Sequence, residues 1–265
     1  MSIKNKVFAA AASLTMVGGL GAGALVTAGA ANAATPSCGG SCIDIFSHDF
    51  GTFHQPNFVM DVYKQGQNVG QPIILFRASN FDPAEDFTIA NQGTVADFNA
   101  AGLVSNAVAL HYGGLGTISG TNCGTVAVPA PCHFPNFTAY EYEYAPFGAE
   151  TGLCVGVGTT AAAGTKVSLQ PCGVSSKTVW IHDYLDALLN PGVSIPIING
   201  SDTNFSHPFV LTYPGSSFPT DKPRPQLYTA NLTGFSGNIN GINLPELGTV
   251  TDAQLWNVLL FGQLF

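Results

Sequence analysis

The chain has 265 residues, 46% of them hydrophobic and 9% charged, with 16 acidic against eight basic side chains. That apolar share, with 11% aromatic residues, supports a packed core and excludes a disordered chain. A net charge of −8 without a basic patch excludes nucleic acid as a partner.

At the N-terminus, Lys4 and Lys6 precede an apolar, Ala/Gly-rich stretch running from Val7 to about Ala30. Ala31-Asn32-Ala33 then places small residues at both recognition positions of a signal peptidase. The run approaches the roughly 20 residues that span a bilayer, so an anchor is the competing reading; its glycines and the adjoining Ala-x-Ala favour cleavage. Residues 1–33 are therefore expected to be a signal peptide of bacterial type, and 34–265 a secreted, extracellular domain with no membrane association after cleavage. Removal of two lysines takes its net charge to −10. All six cysteines follow the signal, and an even number in an exported chain predicts disulfides. Several pairings are open, and proximity in sequence favours Cys38–Cys42, Cys123–Cys132 and Cys154–Cys172. No Cys-x-x-Cys is present and His133 stands alone beside Cys132, so no metal site is expected; no cofactor is implied.

With 31 Gly and 17 Pro, the chain beyond the signal reads as short strands between turns, without an amphipathic helix of three turns. In chain order, Phe58–Tyr63 and Ile73–Arg77 are predicted strands, and Val95–Ala100 a short helix capped by Thr94. Tyr140–Tyr144 and Lys166–Leu169 are strands, Tyr184–Leu189 a helical scrap, and Phe209–Tyr213 a strand. Glu141 and Glu143 flank Tyr142 with period two, which puts them on one face of their strand, expected to be solvated. Three segments share a layout of strand, Gly/Pro/Ser-rich loop, second strand and closing aromatic. The first runs through Phe58–Tyr63 and Pro72–Phe76 to Phe87, the second through Leu153–Val157 and Lys166–Gln170 to Trp180, and the third through Phe209–Tyr213 and Pro225–Tyr228 to Trp256. With Asp61, Gly156 and Thr212 taken as equivalent, Phe76, Gln170 and Tyr228 follow 15, 14 and 16 residues later. The third repeat also carries a loop-like insertion around Gly234–Gly248.

This layout, closed outright by Gln254-Leu255-Trp256 and in weaker form by Thr178-Val179-Trp180 and Glu85-Asp86-Phe87, resembles the repeats of the ricin-B-type lectins. The resemblance implies an all-β fold, a β-trefoil of three repeats at about 41–88, 138–182 and 205–258, with an insertion at about 89–137. Three such repeats close a barrel and remove exposed strand edges, which makes Phe87, Trp180 and Trp256 core residues. Cys154 and Cys172 sit where such repeats commonly carry a disulfide.

The resemblance also implies a sugar pocket, in which a carboxylate accepts hydrogen bonds from adjacent hydroxyls and a ring stacks on the pyranose. Carried over, repeat one offers Asp61 and Phe76; it departs at Ala84, where an amide is expected, and Asn80 is the nearby substitute. Repeat two has Gly156 and Gln170, and repeat three Thr212 with Tyr228, so one pocket at most is expected. For Asp61 and Phe76 the structural alternatives are a turn residue and a core ring. The implied function is a non-catalytic binding protein whose partner is carbohydrate. The alternatives are an adaptor for a secreted protein partner, suggested by the Phe-rich insertions and the apolar tail Leu259–Phe265, and an extracellular hydrolase built on two carboxylates. No nucleophile elbow, His-Glu-x-x-His or phosphate loop is present. Asn136, Asn204 and Asn231 match Asn-x-Ser/Thr and are read as turn residues.

Overall fold

Runs of β-branched and aromatic residues cut by Gly, Pro and Asn produce short strands rather than helices. A computed structural model describes residues 42–47, 51–52, 55–56, 58–79, 81–113, 117–118, 132–133, 137–182, 194–205, 207–214, 225–233 and 250–260. The expected signal peptide, Cys38, Asn80, Cys123 and the Tyr184–Leu189 segment lie outside the described residues. No helix among the described residues is long and apolar enough to cross a membrane.

Twelve of the described strands form one sheet and fall into three sets of four. The first set is β1 (Ile43–Ser47), β2 (Phe58–Val62), β3 (Ile73–Arg77) and β4 (Phe87–Thr94). The second is β5 (Thr138–Tyr144), β6 (Leu153–Val157), β7 (Val167–Pro171) and β8 (Trp180–His182). The third is β9 (Ile197–Asn199), β10 (Phe209–Thr212), β11 (Tyr228–Asn231) and β12 (Trp256–Leu260). The outer strands of the sets form a ring: β1 pairs with β4, β4 with β5, β5 with β8, β8 with β9, and β12 with β1. A bridge from Ile195, just before β9, to Trp256 closes the circle. Among the described residues each ring strand has a neighbour on both sides, which removes the hazard of edge-to-edge association. The apolar tail enters this ring as far as Leu260, pairing with Ile43.

The inner strands of each set form a hairpin, β2–β3, β6–β7 and β10–β11. The three hairpins bond to one another around a pseudo-threefold axis through the bridges Pro72↔Ser168, Lys166↔Tyr228 and Ile74↔Gln226. The hydrogen bonds repeat the symmetry: Leu75 N–H donates to Pro225, Leu169 N–H to Gln71 and Thr229 N–H to Thr165. Gly70 and Gly164 hold equivalent turn positions, both at positive φ, and donate to Leu169 and Thr229. A ring of six strands capped by three hairpins is a β-trefoil, in agreement with the fold that the sequence implies; the third set begins at Ile197, ahead of the expected 205, and the first runs on to Thr94.

The bridges correct one detail of the repeat alignment. Tyr228 is the equivalent of Ile74 and Ser168, and the position of Phe76 and Gln170 is held in the third repeat by Ala230. The loop between β10 and β11 is longer than its counterparts, so a constant residue spacing shifts the strand by two.

Side chains alternate along these strands, and Ile43, Ile45, Phe58, Met60, Val62, Ile73 and Leu75 point inward with their counterparts from the other sets. Phe87, Trp180 and Trp256 plug the barrel, as expected of core residues. Trp180 Nε1 donates to the Val155 carbonyl at 2.8 Å and Trp256 Nε1 to Leu211 at 2.9 Å, equivalent acceptors one residue before Gly156 and Thr212. Each buried indole contributes on the order of 3 kcal/mol by area burial, and these bonds leave no indole N–H stranded in the core. Cys154–Cys172 is formed across the β6–β7 hairpin, and Cys42 is also disulfide-bonded.

Between β4 and β5 lie α1 (Val95–Ala100) and α2 (Asn106–Tyr112). Thr94 caps α1 as expected, in a reciprocal box with Asp97. The second helix, capped by Ser105, is not anticipated by the sequence reading, because seven residues give too short an apolar period. Both pack through Val95, Phe98, Val108 and Tyr112 against Ala139, Val179 and Ile181 on the outside of the barrel. Tyr112 also donates its hydroxyl to Asp202 at 3.1 Å.

Candidate functional site

Because Phe58, Met60 and Val62 face the core, Val59 and Asp61 must face outward, as must Ile74 and Phe76 on the neighbouring strand. Val59 pairs with Phe76 and Asp61 with Ile74, so Asp61 and Phe76 lie diagonally on one face, within reach of each other's neighbourhood. Phe76 is half-buried, whereas Asp61 is only 2% exposed. Asn80 lies outside the described residues.

The cover over Asp61 is the turn that follows β3. Asp82 caps the short 3-10 turn Pro83–Glu85 by accepting from Ala84 N–H at 3.0 Å, and it accepts further from the Gln65 amide and the Ser79 hydroxyl, each at 3.3 Å. Glu85 accepts from the Ser79 N–H at 3.0 Å. Carboxylate oxygens of Asp61, Asp82 and Glu85 all lie within 4.8 Å of one another. Burial pushes Glu85 up to about 9, and nearby Asp44, Asp82 and Asp61 add to the rise against the lowering effect of the Ser79 N–H. Burial likewise pushes Asp44 up to about 8, with Asp86 adding to it. At neutral pH this cluster therefore carries protons in place of a full set of charges.

Two exposed rings stand beside the same turn. Phe81, immediately before Asp82, is 66% exposed at φ 61°, and Phe147 is 71% exposed at φ 55°. The N–H of Phe147 donates to the Asp86 carboxylate at 2.8 Å, which seats it against the turn's far end. A bulky residue in the left-handed region costs on the order of 1–3 kcal/mol, and such outliers gather at ligand sites.

The three repeats solve one structural problem in different ways, and the comparison shows what Glu85 does. Gln254 occupies the corresponding place in repeat three: its Oε1 accepts from Thr233 N–H at 2.8 Å and its Nε2 donates to Asn231 O at 2.8 Å, tying down the loop after the hairpin. Glu85 holds Ser79 in the same manner. Repeat two has Thr178 there, too short to reach, and Glu141 of β5 takes over. Its carboxylate accepts from Gly173 N–H at 2.9 Å, from the Thr178 hydroxyl and from the Asn91 amide. Glu143, on the same face, accepts from Gly152 N–H. The expected solvated face of Glu141 and Glu143 is thus corrected: both are buried, because hairpin loops fold over the outside of β5.

This division of labour also explains the missing pockets. A Cβ on Gly156 would lie 2.8 Å from Thr178 Cγ2 and 2.9 Å from the Lys177 carbonyl, so repeat two has no room for a side chain opposite Asp61's position. Thr212 in repeat three turns its hydroxyl onto the Val210 carbonyl at 3.0 Å. At the positions of Asp61 and Phe76, repeat one alone among the described residues combines an outward carboxylate with an aromatic ring. Sequence reasoning missed Asp44, Asp82 and the clamp role of Glu85; the N-cap pattern Asp82-Pro83 and an acid between Ile43 and Ile45 are the signals that point to the first two.

Two histidines sit in packed aromatic surroundings. His182 Nε2 shares a hydrogen bond with the buried Tyr142 hydroxyl beside Tyr140, and burial pulls it down to about 3. His111 stacks on Phe205.

The chain is a β-trefoil. No protein-family model and no curated protein matches its sequence. Among solved structures it is similar to a designed threefold-symmetric protein, ThreeFoil, at 10% identity over 83% of this chain and 98% of that one, with a TM-score of 0.44. It is also similar to a mosquitocidal holotoxin, at 10% identity over 82% of this chain and 17% of that one, with a TM-score of 0.43. The assignment of the fold rests on the chain's own closed strand ring and hairpin triad.

Proposed function

We propose that the protein is a secreted, non-catalytic carbohydrate-binding module that uses the outward face of its first repeat. The observation that carries this reading is the pairing of a carboxylate with an aromatic ring at these strand positions in that repeat: Asp61 lies diagonal to the half-buried Phe76 and within 4.8 Å of Asp82, with exposed Phe81 in the adjoining turn. A flat ring covers the apolar face of a pyranose, and a carboxylate takes two vicinal hydroxyls in charge-assisted bonds. Because Asp61 is sealed beneath the turn, a ligand arriving from solvent meets half-buried Asp82 first, and Asp61 fixes the floor beneath it. Low charge elsewhere suits a neutral partner, since long-range steering is not part of recognising an uncharged glycan. The test is retention on a panel of immobilised glycans and insoluble polysaccharides, comparing the parent with Phe76→Ala and Phe81→Ala. Retention lost in both variants supports the reading; parent protein that passes every matrix unretained refutes it.

A further inference from the structure

The outward face of repeat one holds more carboxyl groups than the fold has use for. At the place of Asp44, repeat two uses Glu141 as its loop clamp. At the place of Asp61 the other repeats have Gly156 and Thr212, and at the place of Glu85 they have Thr178 and Gln254. At these three places each of those repeats therefore has one acid at most. Repeat one has an acid at all three places and adds Asp82, whose oxygens lie within 4.8 Å of those of Asp61 and Glu85.

Asp44 is the independent pointer to a ligand. It is 2% exposed, and neither of its carboxylate oxygens has a hydrogen-bond partner. Its strand aims it at the cluster: Phe46 of β1 bridges Val59 of β2, and two residues further along each antiparallel strand stand Asp44 and Asp61. It also acts electrostatically on Glu85, as do Asp61 and Asp82. Like charges placed opposite one another across a strand pair destabilise it, and a buried carboxyl without a partner is costly unless something neutralises it. Protons are one neutraliser, and a cation is the other.

We propose that Asp44, Asp61, Asp82 and Glu85 form a binding site for one calcium ion. The donor set is made of carboxylate oxygens alone, without His or Cys, which is the chemistry of hard cations and disfavours zinc or copper. Calcium accepts mono- or bidentate carboxylates in irregular arrangement, whereas magnesium demands an octahedral shell and keeps its waters. Asp82, half-buried at the rim, gives the ion its way in, and the Asp82 turn stands over the site. The inference does not depend on the carbohydrate reading, because the ion is held by groups already beneath the surface.

The experiment uses the full secreted protein, stripped with chelator and returned to chelator-free buffer. Calcium chloride is titrated in by calorimetry, with radiolabelled calcium in equilibrium dialysis as a second measure. The expected result is about one equivalent bound, with an affinity in the range of extracellular calcium modules, Kd about 10⁻⁵ to 10⁻³ M. Asp44→Asn, which keeps the shape and removes a buried acid, should weaken binding at least tenfold, and Asp82→Asn gives the same reading should Asp44→Asn fail to fold. Glu143→Gln, on the second repeat, should bind as the parent does. Absence of binding at about 5 mM calcium, or parent-like binding by a folded Asp44→Asn or Asp82→Asn, overturns the proposal. Calcium binding without glycan retention leaves this inference standing and removes the carbohydrate reading; glycan retention without calcium binding does the reverse.

Discussion

Replacing Glu141 by alanine probes the idea that each repeat must tie down the loop after its hairpin. The carboxylate accepts from Gly173 N–H, from the Thr178 hydroxyl and from the Asn91 amide. Bonds to a charged acceptor are worth about 1.5–3 kcal/mol each when buried. Asn91 is exposed and regains water, and the Thr178 hydroxyl keeps the Ser175 carbonyl at 3.1 Å, so only part of the sum is lost. The remaining cost, with the void left by the side chain, comes to about 3 kcal/mol. For a domain above 200 residues that corresponds to a fall in Tm of roughly 6–12 °C. The structure also supplies a repair: Thr178→Gln installs the residue that does this work in repeat three. Thermal melting by circular dichroism, backed by urea unfolding, should show Glu141→Ala destabilised and Glu141→Ala/Thr178→Gln recovering at least half the loss. A single variant within about 2 °C of the parent, or a double variant no better than the single, refutes the interchangeable-clamp argument.

Gly156→Ala should lose about 1–3 kcal/mol in urea unfolding through overpacking against Thr178 and the Lys177 carbonyl; a neutral or stabilising effect contradicts the account of the lost pocket. Converting both Cys154 and Cys172 to alanine should cost about 3 kcal/mol, given a sequence separation of 18 residues, read as the shift in unfolding midpoint. His182 is held neutral in the fold, with its pKa brought down from 6.5 to about 3. Its contribution is complete above pH 6.5 and is lost as pH falls toward 3, because the unfolded chain takes up the proton first. The raised values of Asp44 and Glu85 act in the opposite direction, stability falling as pH rises through 8 and 9. The difference between parent and His182→Phe therefore isolates the histidine: the parent's advantage should shrink by about 2 kcal/mol between pH 7 and pH 5. An advantage that stays constant over that interval refutes the assignment.

What was legible in the sequence follows from range. Phe58–Val62 and Ile73–Arg77 declare themselves as strands by local composition, and Thr94 declares a helix start because Asp97 sits three residues on. Trp180 and Trp256 mark the repeats because a buried indole needs the same acceptor each time. Period two placed Glu141 and Glu143 together but says nothing of which side is wet, and only the overlying loops decide that. The shifted equivalence of Tyr228 has a similar origin, since loop length is invisible to a spacing rule until a bridge across the hairpins fixes the register. Asp61 and Phe76 share a face as their alternation requires. The rest of the cluster was hidden because Asp82 and Glu85 reach Asp61, and Asp44 acts on Glu85, only after the barrel closes.

The most direct test of the account is glycan retention by the parent, Phe76→Ala and Gln170→Ala measured side by side. Phe76 and Gln170 hold equivalent positions in repeats one and two, so the comparison asks whether the first repeat is where the ligand lands. The account predicts retention by the parent and by Gln170→Ala, and its loss in Phe76→Ala with an unchanged melting temperature. Retention undiminished in Phe76→Ala, or abolished in Gln170→Ala, contradicts it.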